Sequence, residues 1–177
     1  MSITIADITD FIIIAVRNKM DIKKTLIIGK PIAQVWEVLG NQFGEIYKWS
    51  SLIKESKVYG DSKLADLDYA IRETNTKNGI TKQEMTSFDP KKYSLSYKSI
   101  SGTPAIIKEV RAHWRLTKKD ANSTGLFLDF SADMKGIGYL LEPLAKIRLG
   151  KVADELLDEL RYYLENGKPH PRKLELK

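Results

Sequence analysis

The chain contains no cysteine in its 177 residues, which removes disulfides and thiolate metal sites from consideration. It has only two histidines, His113 and His170, far apart in sequence, so neither a histidine-rich metal cluster nor an imidazole proton relay is expected. The apolar run Phe11 to Val16 is too short to span a bilayer, which needs roughly 20 apolar residues. Asp7 and Asp10 precede that run and no small-residue cleavage site follows it, so it also makes a poor secretory signal. There is no internal repeat and no low-complexity linker. Gly136-Ile137-Gly138 lacks the Lys and Ser/Thr of a phosphate loop, and no cofactor is implied.

What is present reads as one soluble globular domain. The hydrophobic fraction is 42% and the charged fraction 29%, values ordinary for such proteins. A chain of this size buries roughly 70% of its unfolded surface. A reducing, cytoplasmic setting fits the missing cysteines. The net charge is +6, with the excess partly at the ends: Arg17, Lys19, Lys23 and Lys24, then Lys168, Arg172, Lys173 and Lys177. This reads either as a solvated surface or as attraction to an anionic membrane. No nucleic-acid-binding motif accompanies it, so nucleic acid is not an expected partner.

The order of elements is the main signal. Residues 21–28 read as a strand, broken at Gly29-Lys30-Pro31. Pro31 opens a short helix carrying Ile32, Val35, Trp36 and Leu39, and a second short helical piece covers 44–49. Strands follow at about 52–59, 66–76, 80–89, 92–100, 105–117 and 124–134, separated by turn signals such as Asn78-Gly79 and Asp89-Pro90. Along 104–117, Ile106, Val110, Ala112, Trp114 and Leu116 share one face; in 126–134, Leu126, Leu128, Phe130, Ala132 and Met134 do the same. Residues 142–166 read as one long amphipathic helix, with Pro143 in its first turn and Gly167 at its end. Ala145, Leu149, Val152, Ala153, Leu156, Leu160, Tyr163 and Leu164 form its apolar arc. The expected class is α+β: a strongly curved antiparallel sheet of about seven strands wrapped on the long C-terminal helix, with two short helices after strand 1. A sheet that cannot collapse fully onto one helix leaves a cavity, so the pattern suggests a container.

Three regions follow. Residues 1–20 form an N-terminal extension, in which Ile5, Ile8, Ile12 and Val16 have the spacing of a short helix packed on the body; Met20 is an alternative start. Residues 21–171 form the domain, and 172–177 a basic tail.

Four pieces of the sequence resemble a known family. A strand is followed by Pro31-Ile32-Ala33-Gln34-Val35-Trp36. Trp49 follows Phe43-Gly44. Gly79 is followed by Glu84, Asp89 and Leu95-Ser96-Tyr97. Trp114-Arg115-Leu116 precedes the last strand and the helix ending at Gly167. Their order resembles the START-like superfamily, the polyketide cyclase/dehydrase and lipid-transport group that shares the birch-pollen-allergen fold. The resemblance spans about 21–171 and leaves residues 1–20 outside. It implies a helix-grip fold with a hydrophobic tunnel between sheet and helix, but no single activity, since function is carried by sites and not by folds.

The candidate ligand-binding residues are Trp49, Tyr69, Arg72, Glu84, Phe88, Tyr97, Trp114, Phe130, Leu149 and Ala153. The aromatics among them either line a pocket or pack a core, and Tyr97 is the best polar anchor. Arg72 and Glu84 face each other if Lys77-Asn78-Gly79 is a three-residue loop; a two-residue Asn78-Gly79 turn puts them on opposite faces. As a pair they either orient a ligand's polar group or form a cross-strand ion pair worth about 0.2–1 kcal/mol. By alternation His113 faces solvent. No Ser/His/Asp set, metal cluster or paired carboxylates suggest catalytic residues. The expected function is binding, and possibly transport, of a hydrophobic small molecule or lipid. The alternatives are a cyclase or dehydratase acting on a polyketide-like or aromatic substrate in the same cavity, and a regulatory interaction domain.

Overall fold

The computed structural model describes residues 19–175. The expected helix at the start of the chain lies outside the described residues. Seven strands form one antiparallel sheet: β1 (Lys19–Ile28), β2 (Ile53–Tyr59), β3 (Ile71–Thr76), β4 (Gly79–Asp89), β5 (Ser94–Ser101), β6 (Ile107–Lys118) and β7 (Thr124–Met134). Their order in space is β1-β7-β6-β5-β4-β3-β2, so β1 and β2 are the two edges. Between β1 and β2 run a one-turn helix α1 (Ile32–Trp36), a π-helical turn (Glu37–Asn41) and a 3-10 segment (Phe43–Lys48). The long helix α2 (Gly138–Asn166) follows the last strand, and a single turn, α3 (Pro171–Leu174), ends the described chain. This is the curved sheet with one long helix and two short helical pieces after β1 that the sequence pattern predicts.

Alternation positions the core. In β6, Ala112, Trp114 and Leu116 are buried, and in β7 Leu126, Leu128, Ala132 and Met134 are, against Ala153, Leu157 and Leu160 of α2. A bulge between Ile107 and Glu109 shifts the phase at the start of β6, so Ile107 is buried there while Ile106 is only partly covered. The sheet body begins at Lys19: Met20 is fully buried and pairs with Ala132.

Two boundaries differ from the sequence reading. Strand β3 begins at Ile71, because residues 61–70 form a loop with Asp66 in the left-handed region at φ 63°. Helix α2 begins at Gly138, one turn before the expected start, which leaves Pro143 inside it and removes one helical hydrogen bond. The helix stops at Gly167, whose φ of 68° favours glycine.

The helix is fastened at both ends of the sheet. Lys24 Nζ on β1 donates to Asp154 at 2.8 Å, and the Gly29 N–H donates to Glu165 Oε1 at 2.8 Å. A deeper clasp forms around Glu159, which is fully buried. Its carboxylate accepts from the Ser51 N–H at 2.8 Å, from Ser51 Oγ at 2.5 Å and from Arg172 Nε at 3.1 Å. Arg172 also donates to Asp158, and Lys173 Nζ donates to the Ile53 carbonyl at 2.6 Å. Residues of the basic C-terminal stretch thus return to the body and neutralise a buried charge. Ser51 still donates twice to Glu159 without Arg172, and the Arg172 side chain is 38% exposed, so the loss is that of a charge-assisted hydrogen bond and not of a fully buried pair. Arg172→Ala is therefore expected to destabilise the fold by about 1.5–3 kcal/mol in urea unfolding. A loss under about 1 kcal/mol, the worth of an exposed pair, would contradict the clasp.

Candidate functional site

The site is set by the hairpin of β3 and β4. Thr76 pairs with Gly79, so the loop is the two residues Lys77-Asn78, and Arg72 lies opposite Gln83. Glu84 falls opposite Ile71 on the other face of the sheet, where it pairs with Lys98 at 2.8 Å. Arg72 and Glu84 therefore do not form a pair. A one-residue change of register sends every side chain to the other face, and here it leaves the arginine inside alone.

Arg72 is 2% exposed. Its Nε donates to Gln83 Oε1 at 2.8 Å and its Nη1 to the Phe43 carbonyl at 2.9 Å. The guanidinium carbon lies 3.5 Å from the centre of the Phe43 ring and 5.2 Å from that of Tyr97. Among the described residues no carboxylate pairs with it. Burial pulls its pKa down to about 10, with the Tyr97 and Tyr69 phenols opposing, so at neutral pH the group remains a cation. A buried cation without an anion is costly; stacking on two rings offsets part of that cost.

Around Arg72 lies an internal cavity of about 20 Å³, space for a single water. Val38, Leu39, Gln42, Phe43, Ile46 and Trp49 wall it from the short helical segments, Tyr97 and Trp114 from the sheet, and Leu156 from α2. In this wall Trp114 Nε1 is buried with no hydrogen-bond partner among the described residues, and so is the Tyr69 hydroxyl on the loop before β3. Burial raises the Tyr69 pKa, against the pull of nearby Arg72. A larger depression of about 550 Å³ opens over β2–β4, but charged Lys54, Glu55, Lys57 and Glu73 line it. It has the character of wet surface and contains none of the candidate residues.

The structure brings Trp49, Arg72, Tyr97 and Trp114 together at the cavity. The other candidates lie elsewhere. Phe88 packs on Trp36, with ring centres 5.4 Å apart. Tyr69 sits on the loop before β3, partly buried. Phe130 and Leu149 pack partly buried against the core, and Ala153 is buried within it, outside the cavity wall. The sequence reading missed the contribution of residues 38–46. Its signals there were Leu39, on the same helical face as Val35 and Trp36, and Phe43-Gly44, which entered only as part of the family resemblance.

The π-helical turn explains how those residues reach inward. It carries Val38, Leu39 and Gly40 one extra residue around, and such bulges recur at functional sites. A Cβ on Gly40 would fall 2.4 Å from Cε2 of the buried Trp36 ring, so only glycine lets the ring lie on the backbone. On the sheet's far face, Ser96 Oγ and His113 Nδ1 are 2.8 Å apart. Asp129, next across from His113, is turned to Lys23 at 3.8 Å, so the row lacks the carboxylate–imidazole bond of a triad.

Comparison with protein-family models finds no match, and comparison with curated proteins finds none either. Solved structures do match. A START superfamily protein from Mycobacterium smegmatis superposes with a TM-score of 0.69 at 14% identity, over 84% of this chain and 99% of that one. Ara h 8.0201 gives 0.66 at 13% identity, over 83% and 98%. The Zhui aromatase/cyclase from Streptomyces sp. R1128 gives 0.59 at 15% identity, over 86% and 99%.

Gly40→Ala is expected to push the Trp36 ring out of place, lowering stability by about 1–3 kcal/mol as overpacking does and altering the near-ultraviolet circular dichroism. Unchanged spectra and stability would show that the ring has room. At these identities the likeness establishes architecture alone: the chain has the START-like helix-grip fold.

Proposed function

We propose that the protein binds an amphipathic small molecule, an apolar body ending in a carboxylate or a similar anionic oxygen group, between the sheet and α2. One observation carries this reading: Arg72 is a buried cation with no anion among the described residues, in a pocket whose remaining walls are almost wholly apolar. The unsatisfied Trp114 Nε1–H adds a donor in the same wall. Two donors, with no paired acid among the described residues, select a ligand rich in acceptors. An apolar pocket with a few converging polar groups is the usual form of a small-molecule site. The fold shared with a START superfamily protein and an aromatase/cyclase is compatible with such a ligand.

At about 20 Å³ the cavity does not hold this ligand as it stands. Binding therefore works by opening. The ligand's apolar part displaces Leu39 and Leu156, and its burial returns about 25 cal/mol per Å². The acid head meets Arg72 in a region that excludes water, where a charge-assisted, two-pronged hydrogen bond is strongest. The opening cost lowers the apparent affinity by the fraction of molecules that are open.

A second reading has an observation of its own. A nearly closed cavity combined with exposed apolar residues on α2, among them Leu140 and Ile147, is the pattern of an interaction domain.

Arg72→Met separates the two. It removes a buried charge while keeping an apolar stem, an exchange that is often neutral or stabilising. The variant is expected to melt no lower than the parent and to lose binding of a long-chain fatty acid, measured by displacement of a fluorescent fatty-acid probe. A variant that binds like the parent, or that melts far lower, would mark Arg72 as a structural clamp.

A further inference from the structure

Exposed apolar side chains gather at one end of the molecule. Strand β4 starts there at Gly79, β5 ends at Ser101, β6 starts at Ile107, β7 ends at Met134 and α2 starts at Gly138. Ile80 and Ile100 stand exposed on this rim. Ile137, Leu140, Leu141, Leu144 and Ile147 stand exposed on the entry and first turns of α2, Leu140 at 82% and Ile147 at 71%. The loops between them touch. The Lys135 N–H donates to the Ile106 carbonyl at 2.9 Å, and the Gly102 backbone lies so close to the Ile80 carbonyl that a Cβ has no room. Along α2, Leu140, Leu144 and Ile147 fall on the side opposite Ala145 and Leu149, which pack partly buried against the core. A contiguous exposed apolar patch marks a binding surface.

The charge at this end is almost all of one sign. Lys77, Lys108, Lys135, Lys146, Arg148 and Lys151 are exposed, and Glu142 is the one acid in the same segments, 77–80, 100–108 and 135–151. Elsewhere lysines pair with acids, Lys57 with Glu73, Lys98 with Glu84 and Lys24 with Asp154. Among the described residues none of the six cations at this end forms such a pair. We infer that this end docks on an anionic phospholipid bilayer, with Leu140, Leu144 and Ile147 at the acyl boundary and the cations at the phosphates. The spacing supports this. Arg148 follows Leu144 by one helical turn and Lys151 follows Ile147 by the same, about 6 Å along the axis. An interfacial helix sinks its apolar face about 5–10 Å, which brings both cations to headgroup depth. The charge selects a bilayer over a second copy. Two copies packed on this patch would set the cations against their own kind, and like charges across an interface oppose association. Anionic lipid attracts the same cations. The inference uses neither Arg72 nor the cavity and is independent of the ligand reading.

The test is vesicle binding by the full-length protein. It is expected to bind vesicles of phosphatidylcholine with phosphatidylglycerol at least tenfold more tightly than vesicles of phosphatidylcholine alone, and to release them in high salt. Leu140→Asp/Leu144→Asp is expected to lose at least tenfold of that affinity and to melt like the parent, since both side chains already face water. Arg148→Glu/Lys151→Glu keeps the apolar residues and is expected to bind both kinds of vesicle equally weakly. Ile27→Asp, exposed near the other end of β1, is expected to bind like the parent. The chain's lack of cysteine allows a single dye to report the contact. An environment-sensitive fluorophore on Ile147→Cys is expected to shift to the blue with the mixed vesicles, and the same dye on Ile27→Cys to stay unchanged. Equal binding to both vesicles, or binding to neither, overturns the inference. So does affinity that survives in Leu140→Asp/Leu144→Asp, which would place the contact elsewhere on the chain. A dimer seen by sedimentation velocity without lipid and abolished by that substitution also overturns it, because a second copy would then be the occupant.

Discussion

The position of Arg72 hangs on one turn. With Lys77-Asn78 as the whole loop, Thr76 meets Gly79, and the register runs down the hairpin to place Arg72 opposite Gln83. A loop one residue longer would set the arginine against Glu84 and give an unremarkable ion pair. The shorter loop sends Glu84 out to Lys98 and leaves the guanidinium inside, between Phe43 and Tyr97. The rest of the candidate site is arranged around that charge. The Phe43 carbonyl accepts from it, and the short segments after β1 close over it. The cavity is small because those segments and Leu156 of α2 fill most of the space under the sheet.

Two parts of the molecule handle charge in opposite ways. Glu159 is as deeply buried as Arg72, yet it has a full set of donors, from Ser51 and from Arg172 of the C-terminal turn. That arrangement fixes α2 and the chain after it, and it leaves nothing for a ligand. Arg72 has two neutral acceptors and two aromatic rings but, among the described residues, no anion. One buried charge is thus neutralised thoroughly, while the other has no counter-ion among the described residues, and the proposed ligand is the partner that would supply it. The contrast within one core supports a site at Arg72 more than the cavity's size does.

Much of the fold was legible in the sequence because its signals are periodic. Alternation along β6 and β7 marked the inner face, and the Gly167 stop marked the end of α2. The site was less legible. Both a two-residue and a three-residue loop fit Lys77-Asn78-Gly79, so local sequence left the Arg72 register open. The π-helical turn has no sequence signature, which hid Val38, Gln42 and Ile46. The apolar arc of α2 was read slightly out of phase: Leu157 is buried, while Val152 is 37% exposed. Glu159 falls beside Val152 at the border of the expected arc, and nothing in the helix itself marks it as buried, because the Arg172 that neutralises it comes from beyond the helix end.

The claim that Arg72 awaits an anionic head group is tested most directly by calorimetric titration of the protein with a long-chain fatty acid and, separately, with its methyl ester. The two ligands share the same apolar body and differ in charge at one end. The acid is expected to bind at least tenfold more tightly, a difference of about 1.4 kcal/mol. Equal affinities for acid and ester, or binding of neither, would contradict the account.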